Sequence, residues 1–61
     1  MAIETRVAQK EKLYALLDIK KAYENAGLEI LPQLKNNIKA AKAAMYAEDI
    51  AHVEKQVAEE E

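Results

Sequence analysis

The residues of this chain that could serve nucleophilic catalysis are few and badly placed for it. The chain contains one threonine, Thr5, no serine and no cysteine, and its single histidine, His52, lies far along the sequence. A nucleophilic triad requires a hydroxyl or thiol hydrogen-bonded to a histidine. A single glycine also excludes a glycine-rich phosphate loop. We therefore predict that the protein is not an enzyme, with no catalytic residue and no cofactor.

Asp49 and His52 have the spacing of a metal-binding pair. On a helix, positions i and i+3 share a face, as in di-metal carboxylate bundles, which also need a facing carboxylate. Glu11 or Glu24 is a candidate for that carboxylate. The bundle motif uses glutamate, however, and His52 lies off the neighbouring apolar stripe. We therefore expect a surface histidine and no bound metal.

A stripe of lysines suggests binding instead of catalysis. Lys35, Lys39 and Lys42 lie at i, i+4 and i+7 and so share one helical face. Such a face contacts phosphates or an acidic protein, or it is solvated while its aliphatic stems cover an apolar seam. Only one arginine occurs, and the net charge is −2, whereas nucleic-acid-binding modules are usually basic. Nucleic-acid regulation through lysine faces is therefore the alternative to binding of a protein partner.

Charge and aromatic residues are also unevenly distributed. Residues 1–47 carry eight basic and five acidic side chains, whereas residues 48–61 carry one basic and six acidic ones. Tyr14, Tyr23 and Tyr46 are the only aromatic residues. Tyrosine is enriched at protein interfaces, although it also lies at the edge of cores. We predict that Tyr14 and Tyr46 contact a partner together with the lysine stripe.

The elements that carry these residues are predicted from the one glycine and the one proline. Gly27 suits the left-handed position after a helix, and Pro32 suits the first turn of the next helix. These residues predict a single all-α helical-hairpin domain with helix 1 at about 3–26, a connection at 27–31 and helix 2 at about 32–59. The apolar connection residues Leu28, Ile30 and Leu31 are expected to cap the core. In size and outline the chain resembles the dimeric helical-hairpin regulators, a likeness of architecture that implies no functional positions.

Helix 2 carries two apolar stripes that differ in phase. The first stripe is Leu34, Ile38, Ala41 and Met45, and the second is Tyr46, Ile50, Val53 and Val57. The second lies about 100° around the helix from the first. Either one helix continues while its stripe winds, or the helix breaks near 45–47 and a third helix forms at 48–59. Because no capping residue marks a new start, the sequence favours a continuous or bent helix.

The apolar residues of helix 1 cover two faces, which a lone two-helix hairpin cannot bury. A chain of 61 residues without cysteine also has a marginal core that an oligomeric partner would reinforce. We therefore predict a homodimer forming a four-helix bundle, in addition to an unidentified protein partner. The residues predicted for the core and for self-association are Leu13, Leu16, Leu17, Tyr23, Leu34, Ile38, Met45, Ile50 and Val53.

A membrane location is not expected from the sequence. No run approaches the roughly 20 apolar residues that span a bilayer. The first residues also lack the apolar region of a secretory signal. We therefore expect a cytoplasmic protein.

Overall fold

The computed structural model describes residues 3–60, and it contains three helices. Helix α1 is Ile3–Asn25, α2 is Pro32–Ala43 and α3 is Ala47–Glu59. No strand occurs in this range, so the prediction of an all-α fold is confirmed. The principal helix contacts join α1 to α2 and α1 to α3. Helix α2 runs back along α1, and α3 then runs in the direction of α1.

The connection between α1 and α2 is built on Gly27 and Pro32, as their residue types predict. The Gly27 N–H donates to Glu24 O at 3.1 Å, and the Leu28 N–H donates to Tyr23 O at 2.9 Å. This pair of bonds is the Schellman motif, with Gly27 at φ 73°. A Cβ at Gly27 would meet no atom within 4 Å, so the backbone conformation alone requires glycine. Pro32 is the first residue of α2.

The predicted second helix is two helices. Helix α2 ends at Ala43, and α3 begins at Ala47 after a short turn in which Tyr46 is extended at φ −73° and ψ 147°. The favoured prediction of one continuous or bent helix over 32–59 is therefore wrong. The alternative, a break near 45–47 followed by a third helix, is correct. The physical reason is the change of phase between the two apolar stripes. A turn lets both stripes face α1, and this burial outweighs the helix-forming tendency of an uncapped, breaker-free segment.

The core lies where the three helices meet. Leu13 and Val53 are 0% and 1% exposed. The buried apolar residues are Leu13, Leu17, Leu34, Ile38, Val53 and Val57. The partly buried ones packed against them are Tyr14, Leu16, Ile30, Ala41, Met45 and Ile50. Tyr23 was also predicted for the core, but it is half-buried and belongs to neither of these two groups. Helices α2 and α3 cover two sides of α1 within one chain, but Val7 and Ile19 of α1 remain 42% and 45% exposed.

The three apolar residues of the connection differ in burial. Ile30 packs against the core, but Leu28 is 59% exposed and Leu31 is 53% exposed. The expectation that all three cap the core is therefore correct for Ile30 only. Successive side chains of an extended segment point to opposite sides. An inward Ile30 therefore leaves the extended Leu31 outward.

Candidate interaction surfaces

The first turn of α3 is held against α1 by Arg6. The Nε of Arg6 donates to Asp49 Oδ2 at 3.0 Å, and its Nη2 donates to Asp49 Oδ1 at 2.9 Å. The same Nη2 lies 3.1 Å from Glu48 Oε1. The Arg6 Cζ is also 4.7 Å from the centroid of the Tyr46 ring. We call Arg6, Tyr46, Glu48 and Asp49 the Arg6 cluster, in which a bidentate pair and a cation–π contact fix the guanidinium.

The Arg6 cluster keeps a buried carboxylate charged. Asp49 is only 7% exposed, and burial by itself disfavours its charged form. The hydrogen bonds from Arg6 outweigh that cost, and the nearby charges of Arg6, Lys10 and His52 add to them, so the pKa of Asp49 is lowered. The hydrogen bond to Asp49 correspondingly raises the pKa of Arg6. The pair is therefore ionised at neutral pH.

The candidate metal ligands Asp49, His52, Glu11 and Glu24 are not brought together at one site. Glu11 and His52 line one open groove between α1 and α3. Both carboxylate oxygens of Asp49 accept hydrogen bonds from Arg6, so Asp49 is already paired. Across residues 3–60, no three His, Asp or Glu side chains are grouped so that they could hold a metal ion. Glu24 lines a different groove, near the other end of α1.

The carboxyl end of α3 is held by a second set of polar contacts. The Lys21 Nζ donates to Val57 O at 2.9 Å and also to Glu60 O. Lysine suits this position because the last carbonyls of a helix lack intrahelical partners. The Tyr14 hydroxyl donates to the Glu60 carboxylate. Two residues predicted to bind a partner, Tyr14 here and Tyr46 in the Arg6 cluster, thus contact other parts of the same chain.

The predicted lysine stripe lines a groove together with a residue from another helix. Lys20 of α1 joins Lys35, Lys39 and Lys42 around Ile38, and we call these five residues the lysine groove. Lys35 and Lys39 are exposed, whereas Lys42 is half-buried. The Lys42 Nζ lies 3.5 Å from Glu54 Oε2 on α3, at the outer limit of a hydrogen bond. The groove therefore combines a positive wall with a buried apolar floor.

Apolar side chains are exposed at the end of the molecule where α1 turns into α2. Leu28 and Leu31 project from the connection, and Ile19, within the last two turns of α1, is 45% exposed. We call these three residues the apolar end. The Lys35 N–H donates to Leu31 O at 3.1 Å, so the two residues are one helical turn apart. The apolar end therefore borders the lysine groove.

Sequence reasoning found the lysine stripe, but it did not place Lys20 beside that stripe and it missed the pairing of Arg6 with Asp49. Arg6 and Asp49 are 43 residues apart, and only the packing of α3 on α1 brings them together. No helix within residues 3–60 is both long enough and apolar enough to cross a bilayer. Comparison of the chain with protein-family models, with curated proteins and with solved structures finds no match.

Proposed function

We propose that the protein is a small non-catalytic interaction protein of the cytoplasm, an adaptor, inhibitor or assembly factor that self-associates and binds a protein partner. The exposure of the apolar end is the observation that supports this best. Leu28 and Leu31 are both more than half exposed, although the Schellman motif and Pro32 fix the backbone between them. A partner that buries preordered leucines gains hydrophobic free energy with little cost in loop entropy.

The neighbouring charges indicate the chemistry of the partner. Leu31 is followed along α2 by Lys35, Lys39 and Lys42. An amphipathic protein segment with an apolar residue at one end and acidic residues beyond it would match both features. The lysines would then fix the register of a complex whose affinity comes from the leucines.

The apolar end is tested by replacing both leucines with serine. We expect Leu28→Ser combined with Leu31→Ser to fold like the parent, because both side chains are exposed. The variant should lose a protein that the parent retains from an extract of the source cell. Titration of that purified protein by calorimetry should show binding weakened at least tenfold. The matched control is Val7→Ser, because Val7 is 42% exposed but lies near the other end of α1. Equal binding by the parent and the double variant would refute a role for the apolar end.

Nucleic-acid binding is the second candidate function, because four lysines from two helices line one groove. Contacts from about three of them predict that log K falls against log salt with a slope near −3 for duplex DNA. Lys35→Glu combined with Lys39→Glu should abolish the shift of labelled RNA or duplex DNA. Lys55→Glu is the control, since Lys55 is exposed on α3 and does not line the groove. If micromolar protein shifts neither nucleic acid at low salt, this candidate is rejected.

A further inference from the structure

We infer that two copies of the chain associate by exchanging α3. In the exchanged dimer, α2, residues 44–46 and α3 form one straight helix, and each α3 packs on the partner's α1. This inference rests on the proposed self-association and identifies its partner as a second copy of the chain. The Arg6 cluster is then shared, because each copy supplies Arg6 to the α3 of the other.

The turn at 44–46 favours such a change because nothing in its own sequence requires it. The segment 40–47 contains five alanines and neither glycine nor proline. No side chain caps the start of α3 at Tyr46, so N–H groups of its first turn lack side-chain acceptors. In a continuous helix the N–H groups of Ala47 and Glu48 would bond to the carbonyls of Ala43 and Ala44. Straightening therefore adds backbone hydrogen bonds in a segment of high helix propensity.

The contacts of α3 also allow it to move as a unit. The polar contacts at both ends of α3 are made with α1, through Arg6 at the first turn and through Lys21 at the last. Within residues 3–60, the one ion pair that joins α3 to α2 is the 3.5 Å contact between Glu54 and Lys42. All contacts between α1 and α3 can re-form between two copies. Exchange therefore changes chiefly the turn itself, which makes it a low-cost route to a dimer.

Proline at position 47 distinguishes the two conformations of the turn. Ala47 is the first residue of α3 and follows the extended Tyr46, a setting that accepts proline. In a continuous helix, proline at 47 would remove a hydrogen bond and clash with the carbonyl of Ala43. We expect light scattering to show dimers for the parent and for the control Ala47→Ser, but a monomer for Ala47→Pro. That monomer should melt no lower than the parent does when the parent is diluted to its monomer. A dimer of Ala47→Pro would reject exchange and leave self-association standing, whereas a monomeric parent at millimolar concentration would reject both.

A mixing experiment tests whether the Arg6 cluster forms between copies. Arg6→Glu and Asp49→Arg each place like charges at the cluster, so each variant alone should melt below the parent. In an exchanged pair made of one copy of each, opposite charges meet at both clusters. After the two variants are heated and cooled together, we expect native mass spectrometry to show the mixed dimer. We also expect a melting temperature above that of either variant alone. A melting curve that is the sum of the two separate curves, without mixed dimer, would overturn the inference.

Discussion

Leu13→Ala should lower the free energy of unfolding by roughly 2–5 kcal/mol, the range for a buried leucine replaced by alanine. Leu13 is 0% exposed and lies in the helix that packs against both others. A small domain with a single core rarely has more than about 3–5 kcal/mol of stability. We therefore expect the variant to lose most of its cooperative thermal transition when circular dichroism is followed against temperature.

The control for Leu13→Ala is Ile19→Ala in the same helix. Ile19 is 45% exposed, and its replacement leaves helix propensity intact because alanine is the best helix former. We expect this variant to melt close to the parent. A Leu13→Ala protein that melts like Ile19→Ala would show that Leu13 is not at the centre of the core.

The second large effect is expected from Asp49→Asn, and it depends on pH. Since the pKa of Asp49 is lowered in the folded protein, the charged carboxylate stabilises the fold above the ordinary aspartate pKa of about 3.9. This contribution is lost as the pH falls through the lowered pKa. At pH 7 the variant should melt several degrees below the parent, because Arg6 loses its charged partner. Below about pH 4 the difference between the two melting temperatures should shrink.

The pH dependence is measured from thermal melts of both proteins between pH 7 and the acid limit of folding. Asp18→Asn serves as the control because Asp18 is exposed on α1, and its melting temperature should follow that of the parent at every pH. A difference between the parent and Asp49→Asn that stays constant down to the lowest pH would contradict the role of the Arg6–Asp49 pair.

Much of the fold is predictable because its signals are local. Gly27 and Pro32 set the connection between α1 and α2 through their own backbone preferences. Helical spacing likewise identifies the buried Leu34 and Ile38 of α2 and Val53 of α3. These features depend on neighbours within one or two turns of the chain.

The break at 44–46 is harder to predict because its cause is tertiary. No cap or breaker marks the turn, and the apolar stripes change phase there without showing whether the helix winds or ends. Packing of Val53 and Val57 into the core, together with the pairing of Asp49 with Arg6, outweighs local helix propensity. The available signals are the phase change between Met45 and Tyr46 and the acidic pair Glu48 and Asp49, which suits the first turn of a helix.

The candidate surfaces likewise combine features that the sequence predicts locally with features that depend on tertiary packing. The stripe of Lys35, Lys39 and Lys42 follows from helical spacing alone, whereas Lys20 joins it only when α1 packs against α2. The sequence also shows that Leu28 and Leu31 are apolar, but it cannot show that both side chains stay exposed. The exposure of Leu31 follows from its extended backbone next to the inward Ile30.

Molar mass in solution, measured by light scattering over a dilution series with helicity recorded alongside, tests the proposed self-association most directly. We predict a species of twice the 6.9 kDa chain mass at high concentration. On dilution it should give a monomer that remains helical, because α2 and α3 cover α1 within one chain. A helical monomer at every concentration up to the millimolar range would contradict self-association.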